Sequence, residues 1–119
     1  MTDTNKEKLK EFIIFVKKEL DLKTTPKIRF QTTRKDLNTT ASYNYMEEKK
    51  LIKIYVKNRA LVDIMRSVAH EMTHHKQFED GRLETKPPDI GHEIEDEANA
   101  KAGKFIKLFS KLDKTIYEL

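Results

Sequence analysis

The chain has no cysteine and no tryptophan, and only three glycines and three prolines among its 119 residues. Without cysteine it can form neither disulfides nor thiolate metal ligands, so any tightly held metal must be taken by His, Glu or Asp. The same absence fits a reducing cytoplasm. Without tryptophan the core must be assembled economically from Leu, Ile, Val and Phe on one face of each element, because hydrophobic and charged residues each make up 37% of the chain. Long apolar runs are missing too. None approaches the length a bilayer crossing needs, and Met1 to Lys10, "MTDTNKEKLK", lacks the apolar centre of a signal peptide. These absences predict a soluble, cytoplasmic protein with no membrane partner. There is no internal repeat, low-complexity tract or linker, and the length suits one modest core, so residues 1–119 read as a single domain.

Charge is present in abundance and is unevenly placed. Between Glu79 and Glu97 eight acids face only Arg82 and Lys86, which leaves −6 there and +10 on the rest of a chain whose total is +4. A basic body could attract nucleic acid. Its lysines, however, are scattered along amphipathic elements with no arginine-rich or aromatic-interleaved cluster, so a solvated lysine face is the stronger expectation.

The hydrophobic pattern sets out the elements. Leu9, Phe12, Ile13, Val16 and Leu20 recur at helical spacing and predict an amphipathic helix over Asn5 to Leu20. Three β-branched and aromatic runs follow: Lys27 to Thr32, Ala41 to Met46 and Leu51 to Lys57. The last two flank a short polar turn and predict a hairpin. Helical periodicity returns from Ala60 to about Phe78 and ends at Asp80-Gly81. A loop with Pro87-Pro88 then leads through Gly91 into a last helix, His92 to Leu112. The architecture expected is α+β.

One stretch of the second helical segment, "VAHEMTHHKQ" from Val68 to Gln77, carries chemistry. At about 100° per residue, Leu61, Ile64, Met65, Val68 and Met72 form one side, and Asp63, Ser67, His70, His74 and Phe78 the other. Histidines at i and i+4 stand one turn apart, where both ring nitrogens can converge on one ion about 2.0–2.1 Å away. Glu71 stands beside them, placed to accept a proton from a water that the ion activates. This is the spacing of an HExxH motif. The plainer alternative is a set of polar residues on an exposed face, and a third ligand decides between them. In the last helix the apolar stripe runs through Ile94, Ala98, Ala102, Phe105, Ile106, Phe109 and Leu112. Glu95 falls inside that stripe, whereas Glu93, Asp96 and Glu97 fall outside it. An inward carboxylate calls for a cation or donors beside it. Against this, an acid in a first helical turn is favoured by the helix dipole alone. His75 falls toward the core side and reads as a packed, hydrogen-bonded histidine.

"HEMTH" followed by "EDEAN" at Glu95 to Asn99 resembles the HExxH plus ExxAN or ExxAD pattern of gluzincin metallopeptidases. It looks most like their minimal forms and the ImmA/IrrE-like peptidases. The resemblance implies a zincin-like minimal domain: an N-terminal helix, a small three-stranded sheet, an active-site helix with the HExxH motif and a C-terminal glutamate helix. It implies a zinc-dependent endopeptidase with His70, His74 and Glu95 as Zn2+ ligands and Glu71 as general base and acid, acting on a peptide or protein substrate. Ala98 would let the two helices approach, and Asn99 would support a ligand histidine by a hydrogen bond. The strand Leu51 to Lys57 would be the edge that binds substrate, and Tyr43, Tyr45, Tyr55 and His92 are candidates to steady the oxyanion. His92 is also a second candidate third ligand, because SprT-like proteases are similar in taking a histidine after HExxH. A zinc-containing binding or regulatory module is the remaining alternative. The tail "KTIYEL" is expected to pack on the surface, or else to lie in the cleft and regulate it.

Overall fold

Thr2 begins the first helix, where its side chain accepts a hydrogen bond from the Asn5 backbone N–H at 3.1 Å. That cap places the start of α1 (Asp3–Leu20) two residues ahead of the periodic pattern. Asp21, in the left-handed conformation, closes it by turning its N–H back onto Lys17 and Lys18. The computed structural model describes residues 1–33, 40–44, 50–83 and 88–118, with the backbone alone for 88–92. Within these residues the order is α1, β1 (Lys27–Gln31), β2 (Ala41–Asn44), β3 (Leu51–Tyr55), α2 (Leu61–Glu79), α3 (Pro88–Leu112) and a 3-10 turn at Lys114–Glu118. The molecule is α+β.

The sheet order is β1-β3-β2, with β1 parallel and β2 antiparallel to β3. The expected pairing of β2 with β3 is present. The expected edge is not: β3 is central, paired on both sides, and among the described residues β1 and β2 are the outer strands. Leu51, Ile52 and Ile54 of β3 are all buried. Only a strand covered by neighbours and by packed helices keeps so continuous an apolar run away from water.

Leu61, Ile64, Met65, Val68 and Met72 of α2 are buried, as their periodicity requires, in one core with Leu9, Phe12 and Val16 of α1 and Phe105, Ile106 and Phe109 of α3. Phe12 meets Phe109 edge-on, ring centroids 5.3 Å apart. Ala98 and Ala102 are buried on the inner face of α3, on the stripe that packs toward α2. Two details differ from the sequence reading. The last helix begins at Pro88, not His92, because proline suits a first helical turn, where its missing N–H needed no partner. Leu112, placed on the apolar stripe, is 77% exposed, since the helix ends there and the core is closed instead by Ile116 of the 3-10 turn. Among the described residues no helix is long and apolar enough to cross a membrane.

Candidate metal centre

Helix α2 brings His70 and His74 together one turn apart, their rings edge to face with centroids 4.7 Å apart and their Nε2 atoms 3.1 Å apart. Glu95 reaches them from α3, with Oε2 3.1 Å from His70 Nε2 and Oε1 3.0 Å from His74 Nε2. Two nitrogens and a carboxylate thus converge at one point between two helices. Among the described residues this is the one group of three or more His and acidic side chains disposed to hold a metal ion.

Glu95 occupies its place for a different reason than the apolar stripe suggests. Its side chain is 57% exposed, so it does not face the core. It lies on the border of the stripe and lines a cleft. Because α3 begins at Pro88, Glu95 stands two turns inside the helix. Attraction to the N-terminal dipole, which fades within the first turn, therefore does not account for it.

The cleft measures about 830 Å³, and its walls include Ala41 and Tyr43 of β2, Arg59 ahead of α2 and Ser67 on α2, in addition to the cluster. Glu71 lines the same cleft but is only 7% exposed. Burial, and next the charge of Glu95, push its carboxyl up to about 8. His70 moves the other way: burial and then the adjoining His74 lower it, against the raising effects of Glu95 and of a hydrogen bond with Asn99. At neutral pH its ring is uncharged, the form a metal requires. Asn99 follows Glu95 by one turn of α3, which is why it reaches His70.

Other candidates fall outside the cluster. His75 is buried, with Thr24 Oγ1 at 2.9 Å from Nε2 and the Tyr43 hydroxyl at 2.6 Å from Nδ1. Thr24 donates its single hydroxyl proton to Glu79 at 2.7 Å, so toward His75 it accepts. His75 then carries its proton on Nε2 and receives that of Tyr43 on Nδ1. This engagement of Tyr43 sets it apart from a donor aimed at an oxyanion. Tyr55 does not line the cleft; its carbonyl accepts from Arg59 Nη1 at 2.7 Å. Tyr45 lies outside the described residues. His92 lies on the described backbone of α3, and its side chain is outside the description. The described tail residues, 114–118, are not among the cleft walls, and Ile116 is buried on the core.

Two groups of site residues were given no role from the sequence. Arg59 is fixed at the cleft wall by Tyr55 O, Asp63 O and Ser67 Oγ. Gln77 lies 2.8 Å from His74 Nδ1 and also donates to the Ile94 carbonyl and to Glu97, which Arg82 holds in turn. The signal that could have found Gln77 is its spacing of three residues from His74, which puts both on one helix face. No protein-family model, curated protein or solved structure matches the chain.

Proposed function

We propose that the chain is a zinc-dependent endopeptidase of minimal gluzincin type. The observation that carries this reading is the convergence of His70, His74 and Glu95 with Glu71 buried in the same cleft. The two Nε2 atoms are 3.1 Å apart and each has one oxygen of the Glu95 carboxylate at 3.0–3.1 Å, spacings close to the edge of about 3.3 Å of a tetrahedron with bonds of about 2.0–2.1 Å. Two imidazoles and one carboxylate match zinc, and a site with three protein ligands leaves one position open for chemistry. The element order, from N-terminal helix through small sheet to HExxH helix and glutamate helix, supports the zincin-like reading.

His70, His74 and Glu95 would hold the zinc, which when bound supplies Lewis-acid polarisation of a carbonyl and makes water more acidic. Glu71 supplies the proton traffic. Burial raises the Glu71 carboxyl to about 8 in the metal-free site; once ionised, a form that the positive charge of a bound cation would favour, it would be a stronger base than a solvated glutamate, taking a proton from water and returning it to the leaving amine. Asn99 holds the His70 ring. An extended substrate would lie along the cleft wall that Ala41 and Tyr43 of β2 form. The Leu51 to Lys57 strand does not take this role, because β3 is enclosed by both neighbours.

The test is cleavage of casein and of a mixture of unstructured peptides by zinc-loaded protein. Glu71→Gln, which keeps the ligands and removes the base, is expected to retain zinc and to lose activity about 10²- to 10⁴-fold. No cleavage by the zinc-loaded wild type, or equal cleavage by Glu71→Gln, would overturn the proposal.

A further inference from the structure

Gln77 is fully buried, yet both of its polar atoms have partners. Oε1 lies 2.8 Å from His74 Nδ1, while Nε2 donates to the Ile94 carbonyl and to Glu97 Oε1, each at 3.0 Å. Arg82 Nη1 donates to that same Glu97 oxygen at 2.8 Å. These partners fix the orientation of the amide. A carbonyl and a carboxylate can only accept, so the NH2 group faces α3 and the oxygen faces His74. An amide oxygen also only accepts, so His74 must carry a proton on Nδ1. In the neutral ring Nε2 is then left with a lone pair toward His70 Nε2 at 3.1 Å and Glu95 Oε1 at 3.0 Å, and because the carboxylate is itself an acceptor, this arrangement calls for a cation between them.

The same side chain joins the two ligand-bearing helices. On α2 it follows His74 by three residues, and on α3 its partners Ile94 and Glu97 bracket Glu95. We propose that Gln77 is the positioning residue of this centre. It sets the tautomer of His74 and holds the Glu95 turn of α3 opposite, with Glu97 and Arg82 holding Gln77 in place. The role rests on the zinc reading above, but the proton on His74 Nδ1 follows from Gln77 with or without zinc.

The experiment therefore begins on metal-free wild type at pH 8, with ¹⁵N-labelled histidine followed by NMR. The expected result is the Nδ1–H tautomer for His74; an Nε2–H tautomer would overturn the proposal. Zinc affinity is then measured by competition with a chelating dye. Gln77→Met, similar in volume but unable to accept from His74, is expected to mix the tautomers and weaken zinc binding about 10- to 100-fold. Gln77→Glu combined with Glu97→Gln keeps an acceptor toward His74 and a donor between the helices, so it is expected to restore binding to within a few-fold. This exchanged pair decides the matter if Gln77→Met does not fold. Folded Gln77→Met with wild-type affinity, or a folded exchanged pair that stays weak, would overturn the proposal. Wild type with the expected tautomer but no zinc uptake sinks the zinc reading and the positioning role together. Wild type that binds zinc with His74 protonated on Nε2 when metal-free sinks only the role of Gln77.

Discussion

Glu71 and Glu95 are two acids of one cleft placed under opposite conditions. Burial raises the proton affinity of the first, whereas the second is open to solvent with two imidazoles against it. On the proposed reading this difference separates their tasks, since a base needs raised proton affinity and a ligand needs a free lone pair. Asn99 belongs to the second task. Asn99→Ala is expected to weaken zinc binding about tenfold, whereas Glu93→Ala, at an exposed position on the same helix, should leave it unchanged in the dye competition. Much of this was legible in residue spacing. The i,i+4 histidines had to share a face, and the ExxAN resemblance singled out Glu95 and Asn99. Gln77 was hidden because an amide announces no chemistry by itself, and its partners arrive from α3. Glu97 was set aside for lying off the apolar stripe, yet that position is where it meets Gln77 and Arg82.

Elements were legible to the extent that their periodicity was uninterrupted. Helices α1 and α2 follow their apolar stripes closely. The start of α3 did not, because proline and glycine were read as breakers when proline also suits a first turn. The place of β3 in the sheet was misjudged by resemblance, although its run of buried Leu and Ile already marked it as a strand enclosed on both sides. At the end of α2, Glu79 accepts from the Lys23 and Thr24 backbone N–H groups at 3.0 and 2.8 Å and from the Thr24 hydroxyl at 2.7 Å, tying the link after α1 to α2. Burial acts to raise the Glu79 carboxyl, but these hydrogen bonds and His75 outweigh it and hold it below its ordinary 4.5. A carboxyl depressed in the folded state stabilises the fold above about 4.5, and the benefit is lost as pH falls through the lower folded value. Glu79→Gln is therefore expected to lower urea stability by about 1–3 kcal/mol at pH 7 and by much less at pH 3. An equal loss at both pH values would contradict this role for the charge.

For the whole molecule, two features of composition take on meaning together. The economical core converges on phenylalanines, and Phe12, wholly buried against Phe109, is its largest fully buried side chain. Phe12→Ala is expected to cost about 3–5 kcal/mol in chemical unfolding, a large share of the stability of a small domain. The acidic stretch from Glu79 to Glu97, notable in the sequence only as a charge imbalance, supplies the link to Thr24, the carboxylate of the cluster and the acceptor for Gln77 and Arg82. A zinc ion bound by the folded state alone should also stabilise it, by about 4 kcal/mol at a thousandfold excess over Kd, so chelator is expected to lower the thermal midpoint. The most direct test of the central claim is metal content by elemental mass spectrometry on protein purified without chelator, for wild type and for His70→Ala, Glu95→Ala, Glu95→Gln and His92→Ala. One zinc per chain is expected in wild type and in His92→Ala, with its loss in the other three; zinc retained without Glu95, or no zinc in wild type, would contradict the proposed centre.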